Sequence, residues 1–340
     1  MATGSMIGQQ PVKCGKAMLY EAGTPLINPV KVGRADVPQD LKSNLQQLMS
    51  PEPRAFLLQW ALAWATVILC IYGAVRLHNA WASIAAIQIV ATRQNLLALL
   101  MHEQCHWLCS RGKWADYFCE LFVAYPLLIT LEGYRRVHLS HHTAYFTDND
   151  PDFLRKQGLE WTFPQHRGFF FRILLRDLCG LNLIKTLKSK GTTEASSFAK
   201  ANFAPPRWLR PAFFGTLIGT LTLTHTWIPF LLYWVVPLFT LMQLIVKWGA
   251  ISEHKYNLIH PSVEESTPLI VLRWWERLLL PNLNFTLHIY HHWYPTIPAC
   301  HLGKVHQMFR KAGLIDERNL FHGYGEYLRS LLSERAGREA

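Results

Sequence analysis

The first fifty residues contain no apolar run, so a cleavable export signal is not expected and placement must rest on later segments. Cysteine is sparse. The seven, at Cys14, Cys70, Cys105, Cys109, Cys119, Cys179 and Cys300, form neither a CxxC pair nor an even framework, which argues against disulfide stapling. No internal repeat and no zinc-finger spacing is present. Charge is missing altogether from Ala55 to Val75, and that gap is the first clue to what the chain is.

A helix needs roughly 20 largely apolar residues to cross about 30 Å of hydrocarbon. Half of the 340 residues are hydrophobic and thirteen are Trp. Ala55 to Val75 is the clearest span. Trp81 to Met101 is a second, apolar at both ends but interrupted by Arg93, Gln94 and Asn95; an ionisable residue at that depth needs a partner or a wet cavity. Pro211 to Lys247 is apolar apart from His225-Thr226-Trp227 before Pro229, which reads as a tight hairpin. The expectation is an all-α membrane protein with four transmembrane helices in two hairpins, at about 55–75, 81–101, 211–227 and 229–248.

Lys and Arg accumulate on the cytosolic side of membranes. Arg111, Lys113, Arg135, Arg136, Lys185, Lys188, Lys190, Arg207 and Arg210 lie between the hairpins, whereas the first hairpin turn has only Arg76 and the second has neither residue type. Both termini and the central segment are therefore expected in the cytosol. This divides the chain into a cytosolic segment at 1–54, an integral domain at 55–306 with a helical cap from 102–210 and 249–306, and a tail at 307–340. The net charge of +11 collects on that side; topology accounts for it first, a docking surface for acidic partners second. Residues 187–206 read as a surface loop. Leu269 to Pro281, with Trp274-Trp275 beside Arg273, Glu276 and Arg277, reads as an amphipathic helix on the bilayer surface.

Sixteen histidines are about double ordinary usage, and most cluster. In HEQCH, His102 and His106 stand four apart, so on a helix they share one face. HLSHH places His138, His141 and His142 at i, i+3 and i+4, and HIYHH repeats the spacing with His288, His291 and His292. A lone histidine on an apolar face is more often a hydrogen-bonded core residue, but three boxes in one membrane protein reverse the odds, the first at the cytosolic end of span two and the others in the cytosolic segments that follow each hairpin. His254, beyond the fourth span, joins them if its helix continues. Nine imidazoles exceed the needs of one tetrahedral ion, so two metals are the economical reading. Imidazole suits Zn, Cu, Fe and Ni alike and leaves the metal open.

The order HxxxH, HxxHH, HxxHH around two hairpins resembles the membrane fatty acid desaturase superfamily. HHTAYFTDNDPDF after the second box and HHWYPTIPACHL after the third extend the likeness, as does Asn284 four residues before His288. The resemblance covers about Trp60 to His306. It implies four helices anchoring a cytosolic cap that holds two non-haem irons, with His102, His106, His138, His141, His142, His288, His291 and His292 as box ligands and His254 as the extra one. Glu103, Glu253, Asp150, Asp152 and Asn284 stand where they could support the imidazoles, although a helix-ending turn is the favoured account of Asp150-Pro151-Asp152.

The resemblance further implies an O2-dependent oxidoreductase, most simply a desaturase that introduces a double bond into a fatty-acyl chain. The alternative is a hydroxylase or ketolase, or a desaturase of a carotenoid or non-lipid small metabolite, on the same di-iron centre. No haem or flavin module is fused to the N-terminal fifty-odd or C-terminal thirty-odd residues, so electrons are expected from an external ferredoxin or cytochrome and its reductase. The other expected partners are the bilayer and a hydrophobic acyl substrate linked to lipid, carrier or CoA; nucleic acid is not among them. The expected location is a bacterial cytoplasmic membrane, multi-pass, with the active site facing the cytosol. Trp107, Tyr134, Trp248 and Trp293 adjoin ligands in sequence and are candidate pocket walls; an interfacial aromatic belt explains them equally well.

Overall fold

The computed structural model describes residues 37–181, 204–259 and 261–333. Cys14, Lys185, Lys188, Lys190 and most of the loop expected at 187–206 lie outside the described residues. The chain is mainly helical, and among the described residues three helices are long and apolar enough to cross a membrane: Pro53–Leu77, Ala80–Cys105 and Trp227–Glu253. Pro53 opens the first, where its missing N–H costs nothing. His78 ends it in the left-handed conformation, and the Asn79 side chain caps the next helix by accepting from the Trp81 and Ala82 amides. A two-residue connection therefore folds the first hairpin.

The second hairpin departs from expectation. Its first arm, Leu209–Leu223, has fifteen residues, short of the roughly 20 that a straight crossing needs. The turn is residues 224–226, and Trp227 opens the following helix. That helix is irregular because Pro237 cannot donate a backbone hydrogen bond: a π segment occupies Leu231–Val235, just before the proline, and the chain breaks at Thr240 before running straight through Leu241–Glu253. Gln94, at mid-depth in the second long helix, donates to the Trp234 carbonyl at 2.7 Å inside this irregular stretch. Arg93 donates to the neighbouring Thr92 hydroxyl.

Lys113–Cys119 continues through a π segment and a 3-10 turn to Leu127, then meets Leu131–Thr143 at 93°. The Phe122 carbonyl of the π segment accepts from the indoles of both Trp60 and Trp64 on the first long helix. The helix at 131–143 carries the second histidine box, and Arg135 projects from it to the end of the second long helix. Arg135 donates to the Gln104 carbonyl at 2.7 Å and the Cys105 carbonyl at 3.1 Å, the last carbonyls before His106, and pairs with Asp116 at 2.6 Å. A cation at a helix C-terminus satisfies carbonyls that have no partner of their own.

The cap draws on more of the chain than expected. Leu41 and Leu45 of Gln39–Gln46 pack with Tyr290, Trp293 and Phe309, so the N-terminal segment is part of the wall behind the third box. The boundary expected at 306 is not a break in packing. Ala299–Lys311 runs through it, and the residues beyond are stitched back by two parallel two-residue bridges, Leu269–Ile270 with Leu320–Phe321 and Gln165–His166 with Leu332–Ser333. The Tyr327 hydroxyl donates to the Ile251 carbonyl at 2.7 Å. The long surface helix expected at Leu269–Pro281 is confined to Trp274–Leu279, since Leu269 and Ile270 are spent in a bridge. Its Trp274, Leu278 and Leu279 are exposed, while Glu276 turns inward and accepts from the Arg273 and Tyr324 amides. Gly323, at φ +93°, is obligatory here because a Cβ would stand 2.7 Å from that carboxylate.

Arg135 and Asp116 are both almost fully buried, and removing one partner of such a pair costs about 3–5 kcal/mol by stranding the other charge. Asp116→Ala should lower the thermal unfolding midpoint in detergent sharply, and Asp116→Ala combined with Arg135→Met should recover part of the loss. A single variant that melts like the parent would show that the pair does not hold the helix end.

Candidate metal centre

Two of the histidines sit where long helices stop. His106 is the C-cap of Ala80–Cys105, and His254 is the C-cap of the helix ending at Glu253, its backbone already extended. His138, His141 and His142 share one face of Leu131–Thr143, and His288, His291 and His292 share one face of the short helix His288–Trp293. The fold brings all nine together. Their Nε2 atoms form two chains: His106, His138, His142 and His291 at successive separations of 2.9, 3.0 and 3.0 Å, and His141, His254, His292 and His288 at 3.2, 3.1 and 3.1 Å. His102 joins the first chain: its ligand atom lies within 4.8 Å of those of His106, His138 and His291.

Hydrogen bonding does not account for these contacts. A ring nitrogen offers one in-plane site, as donor or as acceptor, yet His138, His142, His254 and His292 each meet two other Nε2 atoms with the same nitrogen. His102 has no hydrogen-bond partner on either ring nitrogen, which leaves a buried lone pair that is costly unless something else takes it. A metal ion does so. Two nitrogens about 2.1 Å from one ion and at right angles to each other stand about 3.0 Å apart, the spacing found here. The residues therefore fit two metal ions, one within each group.

Burial, followed by the proximity of other histidines, drives the pKa values of His254, His288, His291 and His292 well below the ordinary value. They are neutral at physiological pH, the form that binds metal. Two of the Nδ1 atoms, those of His141 and His254, are tied from behind. The His141 Nδ1 donates to Asp150 at 2.7 Å, and the same carboxylate accepts from the Phe146, Asp152 and Phe153 amides. Asp150 thus starts the helix Pro151–Arg155 and also orients an imidazole. The His254 Nδ1 lies 3.2 Å from the Tyr145 hydroxyl and 3.3 Å from the Thr267 hydroxyl.

Other expected residues are placed differently. Glu103 accepts from the Ala299 amide at 2.9 Å and touches no imidazole. Asp152 is engaged by Arg155, Lys156 and Tyr256. Asn284, at positive φ, bonds the Ala299 carbonyl and Arg277, and so shapes the approach to the third box. Glu253 lines a cavity without a hydrogen bond to a histidine. Trp107 lies 4.4 Å from the Arg135 guanidinium and Trp293 stacks on Phe309; neither is a wall of that cavity, whereas Tyr134 and Trp248 are.

The cavity has a volume of about 420 Å3 and lies between the second long helix, the end of the third and the cap. Its walls include Ala98, Leu99, Val137, Ile245, Val246 and Phe285, and it opens onto His102, His138, His141, His254 and His288. Both histidine groups thus face one mostly apolar chamber.

Replacing Asp150 with Asn removes the carboxylate behind His141 and should weaken metal retention by about 10- to 100-fold, measured by competition with a chelator. Retention equal to the parent would show that Asp150 serves only the turn. The depressed histidines also set a pH dependence. Their folded-state pKa values lie below the unfolded value, so as pH falls below about 6.5 the unfolded chain binds more protons and stability drops. Denaturant unfolding of metal-stripped protein should show full stability above that pH and progressive loss beneath it; a flat profile would mean that the imidazoles are free to protonate in place.

Comparison with curated proteins returns no match. The family model described as fatty acid desaturase matches residues 79–322, a stretch that contains all nine clustered histidines, Asp150 and the cavity walls other than Tyr324. The chain belongs to the fatty acid desaturase family.

Proposed function

We propose that this protein is an O2-dependent, di-iron membrane oxidoreductase, and that its reaction is desaturation of a fatty-acyl chain. The observation that carries the reading is the pair of histidine groups facing a single, largely apolar chamber. Iron held by His102, His106, His138, His142 and His291 on one side and by His141, His254, His288 and His292 on the other would supply the reduction of O2 and the removal of hydrogen from carbon. The chain's own contribution is placement. Tyr134, stacked 5.6 Å from the His138 ring, and Trp248, packed edge-on against Tyr324, wall the chamber against water. Phe285, 4.5 Å from the His102 ring, presses a hydrocarbon surface against the ligands where the substrate carbon would lie.

Electrons would come from an external ferredoxin or cytochrome with its reductase. Ala299–Lys311 carries exposed Lys304, Arg310 and Lys311 and no acidic residue, a surface that suits an acidic donor. With the cap on the cytosolic side, both termini face the same compartment as that donor, and a bacterial cytoplasmic membrane is the proposed setting. Polar groups in the chamber, Asn95, Gln243 and Thr286 among them, favour the second reading: hydroxylation, ketone formation or desaturation of a carotenoid or non-lipid metabolite.

Purified protein should contain about two irons per chain and consume O2 with a reductant and donor; zinc alone would count decisively against the proposal. In a host supplying the donor, mass spectrometry of lipids and polar metabolites separates the readings. A product lighter by two hydrogens is desaturation, and one heavier by one oxygen is hydroxylation. His141→Ala should abolish either product, and turnover that survives it would remove His141 from the ligand set.

A further inference from the structure

Asn95 lies in the middle of the second long helix, at a depth where a polar side chain without a partner is costly. Its side chain is only 9% exposed, it lines the chamber, and no protein group among the described residues hydrogen-bonds it. Thr286, 5% exposed, lines the same chamber, and its hydroxyl likewise has no protein partner. Gln243, on the opposing helix, spends its amide N–H on the Leu238 carbonyl and presents a carbonyl oxygen to the chamber wall. A chamber built only for a saturated hydrocarbon would have apolar residues at these positions. Of the charges in the same wall, Lys247 is paired with Glu160 at 3.1 Å and Asp177 at 3.6 Å, and Asp152 with Arg155 and Lys156; Glu253 also lines it.

We infer that the substrate carries a neutral hydrogen-bonding group, a hydroxyl, carbonyl or amide, received by Asn95 with Thr286 as a second contact. Asn95 precedes the ligand His102 by seven residues on one continuous helix, so the group sits roughly 10 Å along the helix axis from the level of the metal centre. That spacing sets which carbon is presented for oxidation: the polar group anchors and the metal acts at a fixed remove. A buried site made to bond such a group discriminates strongly against the analogue lacking it, because its own polar atoms are then left unpaired. This deepens the functional proposal above and rests on it for the identity of the reacting end.

The test uses iron-loaded, full-length protein in lipid nanodiscs and a matched pair of probes, dodecane and dodecan-1-ol. Each competes against a fluorescent fatty acid, for the parent protein and for Asn95→Leu. The ratio of the two affinities, compared between proteins, cancels unequal partitioning into the lipid. The parent should favour the hydroxylated chain by a ratio about tenfold greater than the variant does. Equal ratios, or a parent that favours the plain chain relative to the variant, would overturn the inference and leave Asn95 a structural residue. Thr286→Val should move the ratio in the same direction and carries the test if Asn95→Leu does not fold. Metal content on the same samples keeps the two proposals apart: a zinc-only protein fails the di-iron reading, while the ratio still reports on Asn95.

Discussion

Eight imidazoles crowd their Nε2 atoms to successive separations of 2.9 to 3.2 Å, with His102 beside them, and the rest of the cap follows from that. Lone pairs directed at one another repel, and protons cannot resolve the conflict because a single nitrogen meets two neighbours at once. A cation between the rings would relieve that repulsion. Two of the rings are held from behind with their Nε2 atoms aimed inward, His141 by Asp150 and His254 by Tyr145 and Thr267.

The membrane helices do more than anchor. Two of the three long ones end at a histidine of the cluster, His106 in one case and His254 in the other. A helix C-terminus carries a partial negative charge, so both helices direct a favourable field at the place where positive charge would be bound. Arg135 takes up the Gln104 and Cys105 carbonyls and fixes the direction in which His106 leaves the helix. Its own charge is answered by buried Asp116. The ion pair is thus a means of holding a helix end beside a cluster of neutral rings.

Much of this could be read from the chain alone, because the signals were periodic. Spacings of three and four residues put the box histidines on helical faces, and charge-free runs marked two of the long helices. The fifteen-residue arm at Leu209–Leu223 was misjudged because apolar composition continues past the point where the helix stops. Sequence neighbours of ligands were weak guides. Glu103 and Trp293 adjoin histidines along the chain but point into other packing, since consecutive residues on a helix face different ways. Thr267 carried no local signal, because only the fold returns it to His254. Tyr145 lay within the segment after the second box and could have been weighed. Arg135 and Asp116 looked like ordinary charges, and their burial depends on two helices meeting at an angle that composition does not specify.

The segment beyond residue 306 has a bearing on how the molecule is made. Leu320–Phe321 completes a bridge with Leu269–Ile270, Tyr324 lines the chamber, and Tyr327 fastens to Ile251 just ahead of His254. These residues follow all nine clustered histidines along the chain, so they are synthesised after them. Until they are in place one side of the chamber lacks its wall, and closing the cap is therefore a late, long-range step that cannot be completed by the histidine boxes and their own helices.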